Sequence, residues 1–246
     1  MASRLRVGCC GFARKLEEYA RHLDAVEVQQ TFYRPPQVRT AQDWRRRVPQ
    51  DFVFTLKAWQ LITHPPTSPT YRRLGRTLPA SRLDRYGSFA PTEEVQEAWA
   101  LTLEVARALE ASVVVFQCPT SFRPTPQNVE NLQRFFRTAP RAGLAFAWEP
   151  RGPWPADLVK RLCQELDLVH CTDPLVAESV HGAFRYYRLH GRGGYRYRYT
   201  DGDLRELRDR CTAPAYVMFN NVSMWEDALR FQELARGSGF DPRGRV

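Results

Sequence analysis

Three residues of types that commonly transfer protons each close a short apolar run in the sequence. Lys57 ends FVFTLK, Glu149 ends LAFAWE and His190 ends YYRLH. A buried carboxylate requires a paired cation, and a buried lysine can lose its proton near neutral pH. We therefore predict that Lys57, Glu149 and His190 are catalytic, with Glu149 and His190 exchanging protons and Lys57 stabilising negative charge.

Structural explanations compete with the catalytic one at two of these positions. Glu149 could form an ordinary ion pair with Arg151, Arg188 or Lys57, and His190 could be a hydrogen-bonded core histidine. The case for Lys57 is stronger because lysine occurs only at positions 15, 57 and 160, whereas lysine and arginine together number 36. A lysine in so arginine-rich a chain indicates a need for a compact charge that can be neutralised.

Further polar residues follow the other apolar runs and suit the binding of an anionic substrate. The loop GRGG after His190 could direct backbone N–H groups at a phosphate, and arginine side chains would add charged donors. The predicted substrate- and anion-binding residues are Glu27, Thr31, Tyr33, His64, Gln117, Arg151, Arg188, Gly191, Arg192, Asn220 and Asn221.

A metal site is the alternative use of some of these side chains. His64, Glu149, Asp173 and His190 are suitable ligand types, but no HxH or HExxH spacing joins them. We predict no metal site and no cofactor.

Short β-branched or aromatic runs alternate with amphipathic stretches along the chain, and this alternation predicts the elements that position the site. We predict strands at 5–10, 25–30, 52–57, 112–118, 144–149, 168–171, 184–190 and 215–220, each followed by a helix. Thr92 and Thr125 are predicted N-caps, and Ser223 with Glu226 has capping-box spacing. Eight such units predict a single (β/α)8 TIM barrel over residues 1–236, with a loose tail at 237–246.

A doubly wound open sheet is the competing fold. That fold usually carries GxGxxG after its first strand, whereas this chain has GCCG. In a TIM barrel, the carboxyl ends of the strands form one mouth where catalysis occurs, so the predicted site residues should converge there.

The segment YRYRYT after the GRGG loop alternates tyrosine and arginine. Tyr195, Tyr197 and Tyr199 would share one face of an extended segment, with Arg196 and Arg198 on the other. Such a surface could stack bases and bind phosphates, but we favour tyrosines that pack on the barrel and arginines that face solvent.

The amino-acid composition limits the kinds of binding partner and the cellular compartment that we expect for this protein. The net charge of +9 favours an anionic small molecule or nucleic acid as partner. No segment approaches the ~20 apolar residues of a membrane span, and the first apolar run is too short for a signal peptide. The six cysteines lack CxxC spacing, which argues against structural zinc. We expect a cytoplasmic protein without membrane contact.

Several longer motifs resemble those of one family. VEVQQTFYRPP, VPQDFVFTLKAWQLITH, FQCP, AWEPRGPW, YYRLHGR and VMFNN occur in the order, together with Trp44, that is seen in the YecE-like family, also called domain of unknown function 72. The resemblance extends from Val7 to Leu234. It implies a TIM barrel related in shape to sugar isomerases and to an endonuclease barrel, and it implies no particular activity. The matching family positions are Glu27, Thr31, Phe32, Tyr33, Lys57, Thr63, His64, Gln117, Pro119, Glu149, Arg151, Trp154, Arg188, His190, Gly191, Asn220 and Asn221.

Two departures from the family pattern affect the predicted pocket. Gln29 stands where the family usually has asparagine, and a Trp/Tyr-rich insertion after the first strand is absent. One rim of the pocket should therefore be built differently from that of its relatives.

These observations predict an enzyme that acts on a phosphorylated or polyanionic substrate, nucleic acid included, by general acid–base chemistry at the barrel mouth. A non-enzymatic nucleic-acid or nucleotide binding protein is the first alternative. A metal-dependent hydrolase or sugar isomerase is the second.

Overall fold

Eight parallel strands form a closed barrel in the computed structural model, which describes residues 5–237. Each strand pairs with its neighbours in chain order, and β1 pairs with β8 to close the sheet. The predicted TIM barrel is confirmed. The strands are β1 (Leu5–Cys10), β2 (Ala25–Val28), β3 (Val53–Lys57), β4 (Val113–Gln117), β5 (Ala145–Glu149), β6 (Val169–Thr172), β7 (Arg185–Leu189) and β8 (Ala215–Phe219).

Helices cover the outside of the barrel and its loops. They are α1 (Leu16–His22), α2 (Gln30–Tyr33), α3 (Val38–Arg46), α4 (Gln60–Thr63), α5 (Glu93–Ala108), α6 (Pro126–Thr138), α7 (Ala156–Glu165), α8 (Asp201–Arg210) and α9 (Met224–Gly237). Two 3-10 helices, Pro69–Arg73 and Ala80–Arg85, lie in the long connection after β3.

The strand side chains separate into two hydrophobic clusters, one on each face of the sheet. In β4, Val113 and Val115 belong to the cluster inside the barrel, whereas Val114 and Phe116 pack outward against the helices. This alternation follows from the twofold side-chain period of a strand. Both faces are buried, which explains why the run has no polar break.

Local signals located several helix ends correctly. The side chain of Thr92 accepts from the Val95 N–H, and that of Thr125 accepts from the Asn128 N–H, with Pro126 at the first helical position. The structure also shows a capping box at Thr200 and Asp203, at the start of α8. The predicted second strand was too long, because residues 30–33 form the short helix α2.

The prediction that every strand is followed by a helix is wrong at β6. Among the described residues, the connection between β6 and β7 contains no helix. Within this connection Gly182 adopts a φ of 136°, which is not a helical conformation. The returning chain instead bonds to β6, where His170 N donates to His181 O at 2.9 Å.

The predicted loose tail lies, from residue 238 onward, outside the described residues. None of the described helices combines the length and the hydrophobicity that a membrane crossing would require.

Candidate active site at the mouth of the barrel

A charged cluster fills the carboxyl end of the barrel interior. Glu27 lies near the carboxyl end of β2, Glu149 is the last residue of β5, and Arg188 lies on β7. These side chains point inward because their strand neighbours two positions earlier, Ala25, Ala147 and Tyr186, belong to the interior cluster. All three predicted residues therefore converge, although they come from distant parts of the chain.

Arg188 lies between the two carboxylates. Its Nε is 3.0 Å from Glu27 Oε2 and its Nη2 is 2.9 Å from Glu27 Oε1, which makes this pair bidentate. Its Nη1 is 2.5 Å from Glu149 Oε2. Tyr186 Oη donates to Glu27 Oε2 at 2.9 Å, and Gln29 Nε2 also donates to Glu27. We refer to Glu27, Arg188, Glu149, His190 and Asn220 as the Arg188 network.

Burial makes this pairing obligatory. Arg188 and Glu27 are both 0% exposed, and a buried charge without a partner would be strongly destabilising. Burial alone would raise the pKa of Glu149, but the Arg188 guanidinium, His190 and Arg151 hold that pKa well below its ordinary value. Glu149 is therefore a carboxylate, and Arg188 is already engaged on three of its nitrogens.

His190 extends the network toward the cavity. Its Nε2 lies 2.9 Å from Glu149 Oε1, and its Nδ1 lies 3.1 Å from Asn220 Nδ2. An amide donor at Nδ1 places the ring proton on Nε2, which donates to Glu149. The backbone N–H of His190 donates to Asp173 Oδ2 at 3.2 Å. Burial raises the pKa of Asp173, opposed by its bonds from the amides of Leu175 and His190.

Lys57 lies at the end of β3 in the same region and is 7% exposed. Its Nζ is 3.5 Å from the centre of the Phe32 ring, and among the described residues it forms no ion pair. Burial and the positive charge of Arg188 lower its pKa from 10.5 to about 7, although Glu149 and Glu27 oppose the shift. Lys57 can therefore give or accept a proton near neutral pH.

His64 is buried beside Lys57 and is held in its neutral form. Burial, followed by the charge of Lys57, lowers its pKa to about 3. Its Nδ1 lies 2.8 Å from the Thr63 hydroxyl, and its ring packs edge-on against Phe32. His64 thus supports the surroundings of Lys57 and is unsuited to proton transfer at neutral pH.

Several predicted binding residues do not join the cluster. Thr31 Oγ1 donates to the Lys57 carbonyl at 2.6 Å, and thereby ties α2 to β3. Tyr33 lies under Arg73, whose Cζ is 3.5 Å from the ring centre. Gln117 ends β4 in register with Glu149 and faces the barrel interior, as Val115 two positions earlier does, but its side chain forms no hydrogen bond with the cluster among the described residues. Arg151 does reach the network, with Nη1 3.2 Å from Glu149 Oε1 and 37% of its side chain exposed.

The loop after β7 also differs from the predicted phosphate loop. The Gly191 N–H donates to the Tyr199 hydroxyl at 2.8 Å, so this amide is already engaged. Arg192 pairs with Asp203 and Glu206 on α8. Asn221 is buried and donates to Tyr197 O and Asp227 Oδ2. These contacts shape the loop. They engage the Gly191 amide and the Asn221 side-chain amide, whereas Arg192, 41% exposed, is held by two carboxylates through its Nε and Nη2.

Tyr197 and Tyr199 of this loop pack against the protein, as we favoured from the sequence, whereas Tyr195 does not. Tyr199 is buried and meets Phe219 edge-on, and Tyr197 donates to Asp203 Oδ2. Tyr195 is 60% exposed, so the three rings do not share one buried face. Arg196 and Arg198 are exposed, as expected.

Sequence reasoning missed Tyr186, Gln29 and Asp173 as members or supports of the network. The signal for Tyr186 was its position two residues before Arg188 on the same strand, which places both side chains inside the barrel. Asp173 was recognised as a polar residue at the end of the sixth strand and as a possible metal ligand, but not as a partner of His190. Its contact with the His190 amide depends on the β6–β7 connection, whose path the sequence pattern did not predict.

A cavity of about 520 Å³ opens beside the network at the ends of β5, β6 and β7. Glu149, Arg151 and His190 line it on the side of the network, together with Asp173 and Gly191. Among the described residues, no group of three His, Cys, Asp or Glu side chains is arranged to hold a metal ion. Low metal content remains a prediction.

The model of the family described as "Protein of unknown function DUF72" matches residues 9–243. The chain belongs to this family. A DUF72 protein of Enterococcus faecalis V583 is 21% identical with a TM-score of 0.74, over 94% of this chain and 95% of that one. A DUF72 protein of Thermotoga maritima MSB8 is 19% identical with a TM-score of 0.68, over 95% and 99%.

A xylose isomerase domain containing protein of Salmonella typhimurium LT2 is more distant, at 14% identity and a TM-score of 0.55, over 92% of both chains. At these identities, the solved structures show the shared fold alone. No curated protein matched this member of DUF72.

Proposed function

We propose that this DUF72 protein is an enzyme that transfers protons on an anionic substrate at the barrel mouth. The observation that carries the proposal is Lys57, a buried amine with a pKa of about 7 beside the Arg188 network. A general acid or base is most effective when its pKa lies near the working pH. A lysine with only a structural role would gain nothing from this environment, because charging it there is unfavourable.

His190 and Glu149 supply a second proton-exchanging pair in this proposal. Protonation of His190 at Nδ1 would break the hydrogen bond that Nδ1 accepts from Asn220. The resulting imidazolium would be stabilised by the Glu149 carboxylate, 2.9 Å from Nε2. Glu149 couples the two parts of the site, since it lines the cavity and its charge also acts on Lys57.

The substrate anion is assigned to Arg151 and to protonated Lys57. Arg188 is fully buried and bound to two carboxylates, so its role in this proposal is to hold Glu27 and Glu149 in place and not to bind the substrate. Arg151 lines the cavity with 37% of its side chain exposed, and it keeps donors that Glu149 does not use. The substrate class proposed is a phosphorylated or otherwise polyanionic molecule.

The test is a thermal-shift panel of phosphosugars, nucleotides and short oligonucleotides. A ligand at a hundred times its Kd should stabilise the native protein by about 2.7 kcal/mol. Lys57→Met and Arg151→Gln should each abolish the shift. The double variant Arg196→Ala, Arg198→Ala is the control, because these exposed side chains lie on the outer loop. A shift that survives both mouth variants would refute the assignment.

A nucleic-acid binding protein is the second candidate, and the rim beside β3 favours it. Arg73 lies over Tyr33, and Arg76 lies over Trp59 with its Cζ 4.9 Å from the ring centre. Neither arginine forms an ion pair with another described residue. In this case oligonucleotides should bind with an affinity that falls steeply with salt, and Arg73→Ala should weaken binding more than Lys57→Met.

A metal-dependent hydrolase or isomerase is the third candidate. It would be supported by one equivalent of zinc or manganese in the purified protein that is lost in Glu149→Gln.

A further inference from the structure

The cavity extends from the Arg188 network to the outer face of β6, where the helix after the strand is missing. The ladder between β5 and β6 contains two residue pairs and ends at Trp148 and His170. Val169 and Cys171 face the barrel interior, so His170 between them faces outward. Glu149 from the inner face and His170 from the outer face nevertheless line the same cavity. The space therefore continues outward past the end of this ladder.

The returning β6–β7 connection fixes the ring of His170. The Val180 N–H donates to its Nδ1 at 3.2 Å, and Ser179 Oγ donates to its carbonyl at 3.1 Å. Because Nδ1 accepts a hydrogen bond, the proton of the neutral ring is on Nε2. Burial lowers the pKa of His170 to about 4, so the ring is neutral at physiological pH.

Nε2 of His170 is then a donor without a partner among the described residues. The residue is 7% exposed and lines the cavity. Its Nε2 is not one of the fully buried polar atoms of the described residues that lack a partner, so Nε2 is open to the space beside the ring and can donate to a molecule bound there. The lining includes the apolar residues Trp154, Val159, Val176 and Val180, and also the polar residues Thr172 and Glu178.

We propose that this outer part of the cavity is a substrate subsite, in which His170 Nε2–H donates to a carbonyl oxygen or similar acceptor on an uncharged, largely apolar moiety. The inference rests on the proposed function for the rest of the substrate, whose anionic end would lie at Arg151. It narrows the substrate class to molecules with an anionic group and an apolar, acceptor-bearing group. Phosphate esters without such a group, including simple phosphosugars, would leave the subsite empty.

Two matched fluorinated probes test the subsite without requiring the substrate. 4-Fluoroacetophenone carries the carbonyl acceptor, and 1-ethyl-4-fluorobenzene has nearly the same shape without it. Binding of each to the full chain is measured by fluorine NMR. One hydrogen bond is expected to favour the ketone by roughly three- to tenfold.

Two substitutions separate the donor from the structural role of His170. In His170→Asn, the side-chain oxygen can still accept from the Val180 N–H, but the Nε2 donor is lost. His170→Gln keeps a donor near Nε2 and loses the Val180 contact. We expect the ketone preference to disappear in His170→Asn and to persist in His170→Gln. Ala156→Leu, which enlarges an exposed residue of the lining, should weaken both probes.

Equal binding of the two probes, absence of binding, or a ketone preference that survives in His170→Asn would each overturn the proposal. Lys57→Met is included to separate this proposal from the proposed function. Probe binding should be unchanged in that variant. If the subsite results hold while Lys57 proves to have an ordinary pKa, the catalytic assignment fails and the subsite stands.

Discussion

Replacing Lys57 with methionine should change how the stability of the protein depends on pH. Below pH 7, Lys57 is protonated in both the folded and the unfolded chain, so it contributes no slope. Between pH 7 and 10.5, the unfolded chain holds a proton that the folded chain has released. The free energy of unfolding of the wild type should therefore rise with pH over this window by about 1.4 kcal/mol per pH unit.

The magnitude follows from the shift in pKa from 10.5 to about 7. The full shift corresponds to about 5 kcal/mol, and the part between pH 7 and 9.5 to about 3 kcal/mol. The variant lacks this term and keeps a side chain of similar size. The free energy of unfolding of Lys57→Met should exceed that of the wild type by the largest amount below pH 7. This excess should shrink by about 3 kcal/mol by pH 9.5.

Urea denaturation of both proteins between pH 6 and 9.5 measures this difference. Burial raises the pKa values of Cys10 and Cys171, so these thiols destabilise the folded state at high pH. Both proteins contain them, and subtraction removes their contribution. Lys160→Met removes an exposed lysine on α7 and controls for the loss of a positive charge. A difference between wild type and Lys57→Met that stays constant over this range would refute the reasoning.

Glu27→Gln should destabilise the protein by about 3–5 kcal/mol in urea denaturation, because it leaves the buried Arg188 with one carboxylate fewer. The control Asp43→Asn breaks an exposed ion pair with Arg47 and should destabilise the protein by only about 0–1 kcal/mol. Gly191→Ala should cost about 1–3 kcal/mol, since φ is 80° there and a Cβ would lie 2.5 Å from Gly194 O. Gly193→Ala is its control, with no atom within 4 Å of an added Cβ, and an equal loss in both variants would contradict the steric argument. Elemental analysis of purified protein should find well under one equivalent of zinc or manganese, and a stoichiometric amount would instead favour the metal-dependent candidate.

The strand pattern predicted much of the site because a TIM barrel brings the carboxyl ends of its strands to one place. Glu27, Lys57, Glu149 and Arg188 were chosen as strand-end residues, and the structure places them together. The pairing within the cluster was beyond this reasoning. Whether Arg188 binds a substrate anion or two carboxylates depends on how deeply it is buried and on where the Glu27 side chain lies. Neither of these can be deduced from its position at the end of a strand.

Loops limited the prediction for a different reason. Glycines and arginines after β7 are compatible with a phosphate loop, but the Gly191 amide donates to Tyr199, eight residues further along the chain. His170 was overlooked because alternation assigns it to the outer face of β6, where a helix normally covers the strand. Its place in the cavity depends on the missing helix, and the residues between β6 and β7 gave no clear signal for that path.

In the proposed function, the charges around Lys57 would let one residue both attract an anion and exchange a proton. The carboxylates of Glu27 and Glu149 are balanced by the guanidinium groups of Arg188 and Arg151, with which they form ion pairs. A proton on Lys57 is therefore an excess charge in a buried region, which is why its pKa is low. The same excess makes the protonated site attractive to an anionic substrate, whose charge would raise the pKa of Lys57 on binding. Substrate binding and protonation should then be coupled, and proton uptake on binding at pH 8 would be the direct sign of that coupling.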